Sequence, residues 1–151
     1  MSETLKLTAS ESVRIVNSSA ASLEVEATYG AGGEAPPAHL HPAQDEHSEV
    51  LGGSLRVRID GIDRELAAGD TLDVPRGSVH QMWNPGTEGA RVRWTTTPAG
   101  RTEQWFRELN ELQLAGRRLR RLARGLDRLP RPARPSGSEA RRGHRPALSR
   151  D

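Results

Sequence analysis

His39-Leu40-His41-Pro42-Ala43-Gln44-Asp45-Glu46, answered some thirty residues later by Pro75-Arg76-Gly77-Ser78-Val79-His80, decides how this chain is read. His39 and His41 stand two apart. On extended backbone such residues point to the same side, so both imidazoles can reach one centre. The polar, proline-containing stretch between His41 and Glu46 turns the chain and returns a carboxylate beside them. His80 follows a turn marked by Pro75 and Gly77. Three neutral imidazoles and one carboxylate suit a divalent transition metal.

The spacing extends further in both directions. Gly33, five residues, His39-x-His41, four residues, Glu46, six residues and Gly53 form one block. Gly69, five residues, Pro75-x-Gly77, two residues, His80, three residues and Asn84 form the other, with 15 residues between Gly53 and Gly69. These two blocks resemble the paired motifs of the cupin superfamily over roughly residues 10–100. The resemblance implies an all-β fold, a double-stranded β-helix or jelly-roll barrel, and a metal held by His39, His41, Glu46 and His80. Asp45 is the rival acid, because the family pattern allows three or four residues before its carboxylate. Only Glu46 keeps the six-residue gap to Gly53. Gly69, Pro75, Gly77 and Asn84 read as turn and strand-end residues rather than chemistry.

The surrounding pattern agrees with short strands. Residues 12–16 and 22–29 read as strands, the second placing Leu23, Val25, Ala27 and Tyr29 on one face and Glu24, Glu26 and Thr28 on the other. Residues 30–37 read as loop, 38–41 as a first histidine-bearing strand and 46–51 as the next. Leu55, Val57 and Ile59 alternate with Arg56 and Arg58 before an Asp60-Gly61 hairpin turn. Residues 71–74, 80–83 and 91–97 complete the set, a strand density typical of a sandwich or barrel. Residues 1–10 read as a loose arm or edge strand.

After Pro98 the period changes. Trp105, Phe106, Leu109 and Leu112 predict one face of a helix over about residues 101–115, with Gly116 breaking it. Further leucines then recur among arginines, an arrangement open to anionic surfaces but read first as a solvated basic helix. The expected organisation is a barrel over residues 1–100, a helical segment over 101–129 and a disordered Arg/Pro-rich tail over 130–151.

Charge divides the same way. The net charge of +2 combines 10 Lys/Arg and 17 Asp/Glu in residues 1–116 with 12 Arg and 3 acids in residues 117–151. The high pI therefore belongs to the tail, and no specific nucleic-acid binding is expected. The chain has no cysteine, which removes disulfides and thiolate ligands and fits a reducing, cytoplasmic setting. The segment Met1-Ser2-Glu3-Thr4 does not read as a signal peptide.

Strand parity places Ser48 inward with Glu46, and sends His47 and Glu49 to the opposite face. Met82 shares the parity of His80, and Val92 that of Trp94. The expected pocket is apolar, with Tyr29, Gln44, Ser48, Met82 and Trp94 as lining residues. A His₃Glu set leaves positions open to water or substrate on iron, manganese, nickel, copper or zinc. From the resemblance, the expected function is a dioxygenase-like oxidoreductase acting on a small organic molecule. The alternatives are a non-catalytic binding cupin with a structural or ligand-anchoring metal, and a cupin isomerase. Cupins commonly pair through exposed edges, so a homodimer is expected. No helix-turn-helix or zinc finger supports a regulatory reading.

Overall fold

The computed structural model describes residues 3–126. Nine strands precede one helix: β1 (Thr4–Lys6), β2 (Glu11–Ser18), β3 (Leu23–Tyr29), β4 (Asp45–Gly52), β5 (Ser54–Ile59), β6 (Ile62–Ala67), β7 (Thr71–Val74), β8 (His80–Trp83), β9 (Ala90–Thr97) and α1 (Thr102–Leu126). The described strand pairs are antiparallel. They make a six-stranded sheet, ordered β1-β2-β3-β9-β4-β7, and a three-stranded sheet, β6-β5-β8. The inward residues of both sheets form one core, with Val13, Leu23, Val25, Val50, Leu55, Val57 and Val92 almost fully buried. Period-two alternation is what delivers these side chains to one side.

The turns hold this register. Ile59 pairs with Ile62, so Asp60 and Gly61 form a two-residue hairpin loop, both at positive φ (48° and 81°). That is the geometry a right-twisted hairpin requires. Gly53 admits no other residue: its φ is +72°, and a Cβ there would lie 2.5 Å from the Gly89 carbonyl oxygen. Asn84, buried at a strand end, donates to the Glu88 carbonyl at 2.7 Å and accepts from the Gly86 amide at 3.0 Å.

Several sequence expectations change. Residues 38–41 are not a ladder strand, and only His39 pairs, as a single bridge to His80. Pro36, Pro37 and Pro42 surround it, and none has an N–H to extend the ladder. Of the two readings of residues 1–10, the edge strand holds, with Leu5 and Leu7 buried. β6 escaped a period-two reading because only Leu66 of its six residues is buried.

The helix also differs. It runs through Gly116 without a break; a glycine costs a helix about 1 kcal/mol, too little to end it alone. Its packed face is Phe106 and Leu109, with Asn110 accepting from the Lys6 amide at 2.9 Å and Gln113 donating to the Leu7 carbonyl at 3.5 Å. Trp105 and Leu112 lie off that face, 49% and 67% exposed. Among the described residues no helix is long and apolar enough to cross a membrane. The tail over residues 130–151, with His144, lies outside the described residues.

Candidate metal centre

Backbone pairing builds the site. His39 and His80 exchange two amide-to-carbonyl hydrogen bonds, at 3.2 and 2.8 Å, which sets their rings side by side with centroids 4.4 Å apart. His41, two residues on, brings its ring to 5.2 Å from His39 and 5.3 Å from His80. One nitrogen from each imidazole lies within 4.8 Å of the others, a three-histidine group that can hold a metal ion.

The outward nitrogens fix the inward ones. His39 Nδ1 meets the Pro37 carbonyl at 3.1 Å, and His80 Nδ1 meets the Ser78 carbonyl at 3.0 Å. A carbonyl only accepts, so each Nδ1 carries the proton and each Nε2 keeps its lone pair, the orientation that metal-ligating histidines take. His41 Nε2 is buried and makes no hydrogen bond, although Glu46 Oε1 lies 3.0 Å away. Glu46 Oε2 lies 3.3 Å from His80 Nε2. The carboxylate therefore reaches two of the three rings, and an unpartnered ring nitrogen faces the cluster. The donor set fits a divalent transition metal.

The imidazoles differ in basicity. Burial lowers the pKa of His41, aided by the charges of His39 and His80 and opposed by Glu46. Burial also acts downward on His80, but the Glu46 and Ser78 hydrogen bonds and the Glu46 charge outweigh it, so its pKa rises.

β4 separates the neighbouring acids. Glu46 and Ser48 turn inward and are buried; Asp45 is held outside by Arg76, whose hydrogen bonds keep its pKa below the usual carboxylate range. His47 also faces out and meets Asp73 at 2.6 Å.

The cluster opens into a cavity of about 650 Å³. Tyr29, Gln44, Ser48, Met82 and Trp94 all line it. Ser48 sits opposite Trp94 across β4 and β9, so a small side chain faces a large one. Gln44 also braces the fold. Its amide donates to the Pro98 and Ala99 carbonyls and to Thr102 Oγ1, at 2.9, 2.8 and 3.0 Å, tying the turn beside the histidines to the start of α1. Trp94 packs edge-on to Phe106 at 5.6 Å, and Trp105 extends the aromatic wall.

Glu11 also lines the cavity, and strand parity with Val13 and Ile15 is the signal that marks it as inward-facing. The sequence reading began its strand at residue 12 and so passed over it.

The protein-family model for the cupin domain matches residues 25–96. Residues 25–96 are a cupin domain, and the barrel around them is the cupin double-stranded β-helix. An RmlC-like cupin from Shewanella frigidimarina superposes with a TM-score of 0.59 at 23% identity, over 66% of this chain and 86% of that one. Tetracenomycin polyketide synthase protein TcmJ of Streptomyces glaucescens is 37% identical over 68 residues, 45% of this chain and 46% of that protein. Oxidoreductase iacF of Pestalotiopsis fici is 41% identical over 54 residues, 35% of this chain and 26% of that protein. The match thus spans less than half the length of either curated relative.

Proposed function

We propose that His39, His41, His80 and Glu46 hold a divalent transition metal (iron, manganese, nickel, copper or zinc), and that the chain acts on a small organic molecule as a dioxygenase-like oxidoreductase. One observation carries this reading: three converging imidazoles and a buried carboxylate stand in a cavity with otherwise largely apolar walls. A bound metal supplies Lewis acidity toward a substrate oxygen. The chain's own residues do the rest. The Pro37 and Ser78 carbonyls fix two of the rings, while Val92, Met82, Trp94 and Leu109 orient an apolar skeleton and exclude water.

The relative named as an oxidoreductase supports the redox class, and the one named as a polyketide synthase protein supports an oxygen-bearing carbon skeleton. Among the described residues that line the cavity, Arg101 alone is a Lys or Arg, which offers little to hold the phosphate of a sugar phosphate. Metal analysis by mass spectrometry, followed by oxygen-uptake assays with enolic and phenolic compounds, tests the proposal. Metal-dependent oxygen consumption that disappears in His80→Ala is the expected result. Full metal occupancy and ligand binding without turnover would replace it with a non-catalytic binding cupin.

A further inference from the structure

Glu11 and Tyr29 face each other directly across β2 and β3 and both line the cavity. They come from a different part of the barrel than the imidazoles, which lie before β4 and on β8. Glu11 and Tyr29 interact electrostatically, and the Tyr29 hydroxyl donates to Met82 Sδ at 3.8 Å. The residues that continue this register, Val13 and Ala27, are buried and apolar. An acid and a phenol in that register cost stability that a leucine and a phenylalanine would not. A polar pair kept where the fold favours apolar residues marks a place where local rules yield to function.

We propose that Glu11 and Tyr29 form a second polar anchor in the cavity, taking a hydroxyl or carbonyl oxygen of a ring compound whose other oxygen lies at the histidine cluster. This rests on the metal-site reading above and adds the substrate class: an apolar, largely uncharged ring skeleton with at least two separated oxygens. The pair suits such an oxygen because between them a carboxyl and a phenol can both donate and accept. Burial raises the pKa of Glu11, which brings its protonated, donating form closer to neutrality. The apolar surfaces of Leu7, Met82, Val92, Trp94, Trp105 and Leu109 match the skeleton between the oxygens. A cavity of about 650 Å³ has room for two fused rings or more.

The test uses the full-length, zinc-loaded protein, with tryptophan fluorescence reporting the affinities of 1-naphthol, 1,5-dihydroxynaphthalene and 2,6-dihydroxynaphthalene. At least one diol should bind about tenfold tighter than 1-naphthol, as expected for a hydrogen bond to a polar pair within the cavity. In Glu11→Leu/Tyr29→Phe that ratio should fall to about one. Replacing both partners by apolar groups of similar shape keeps the barrel folded, and melting temperature checks this. No diol preference in the wild type, or a preference that survives in the double variant, overturns the second anchor. Zinc content is measured in the same samples. If the protein takes up no zinc, it is the metal-site reading that fails; zinc uptake without a diol preference sinks the anchor alone.

Discussion

Arg76 closes on the Asp45 carboxylate from three directions: its backbone amide at 2.8 Å, Nε at 3.2 Å and Nη2 at 2.9 Å. The contact holds Asp45 on the outer face of β4, and the pleat then turns Glu46 inward to the histidines. Two adjacent acids, both compatible with the motif, are thereby set on opposite faces. Asp45→Asn should leave metal content unchanged, whereas Glu46→Gln should lower it. An amide oxygen can still ligate but brings no charge, so the loss should be smaller than for a missing imidazole. Metal analysis of the two variants purified side by side decides; a metal-poor Asp45→Asn beside a metal-replete Glu46→Gln would reverse the assignment.

The histidines can be ranked in the same assay. His41→Ala and His80→Ala each remove a nitrogen from the cluster and should strip most of the metal. His47→Ala touches only the outward pair with Asp73 and should not. Because the ligands come from separate parts of the barrel, a bound ion stabilises the folded state alone. At free metal a hundred times Kd this amounts to about 2.7 kcal/mol, so chelation should lower the melting temperature by roughly 8 °C. The barrel should stay folded, since its apolar core does not involve the metal. Unaltered metal content in all three of His39→Ala, His41→Ala and His80→Ala would remove the site.

Glu11 links the cavity to pH. Burial raises its pKa in the folded state above the ordinary carboxylate value, outweighing the opposing hydrogen bond from Tyr29. The folded chain then binds more protons than the unfolded one between the two values, so stability falls as pH rises through that window. The contribution is fully present below the unfolded pKa and gone above the folded one. Glu11→Gln, which has no charge to lose, should melt higher than the wild type at pH 7 and show no such advantage at pH 4. An equal difference at both values would mean that the substitution acts through packing instead.

The barrel was legible in the sequence because its two requirements, alternation and turn chemistry, are local. Leu23 to Tyr29 alternates cleanly, and Asp60-Gly61 and Gly53 mark positive-φ positions that few other residues accept. That His39, His41 and His80 converge was legible from the two spaced motifs that carry them. What escaped depends on neighbours distant in sequence. Whether Trp105 or Phe106 faces the barrel is decided by where β1 receives Asn110, and no helical period contains that. Gln44 was legible as a turn residue beside the histidines, but its bonds to the Pro98 and Ala99 carbonyls come from a loop distant in sequence. Glu11 lay one residue outside the strand read over 12–16, and its inward side shows only once β2 pairs with β3.

The last prediction concerns the part of α1 that the barrel leaves uncovered. Trp105, Leu112 and Leu119 recur every seven residues, with Leu122 beside them, and all four are about half to two-thirds exposed. A stripe of this kind on a 25-residue helix has the spacing that the seam of a helix pair requires. One flanking pair suggests the partner: Glu111 and Arg118, seven residues apart, lie along the same edge of the stripe. Two copies laid antiparallel would set each Glu111 near the other copy's Arg118. We propose that the chain forms a homodimer through this seam. Sedimentation at micromolar concentration should give a dimer, and Leu112→Glu or Leu119→Glu a folded monomer. Removing residues 117–151 should likewise dissociate the dimer while leaving metal content and melting of the barrel nearly unchanged, because the described helix contacts to the barrel, through Phe106, Leu109, Asn110 and Gln113, all precede the cut. A wild-type monomer would rule the seam out, and unfolding on truncation would show that the second half of the helix belongs to the core.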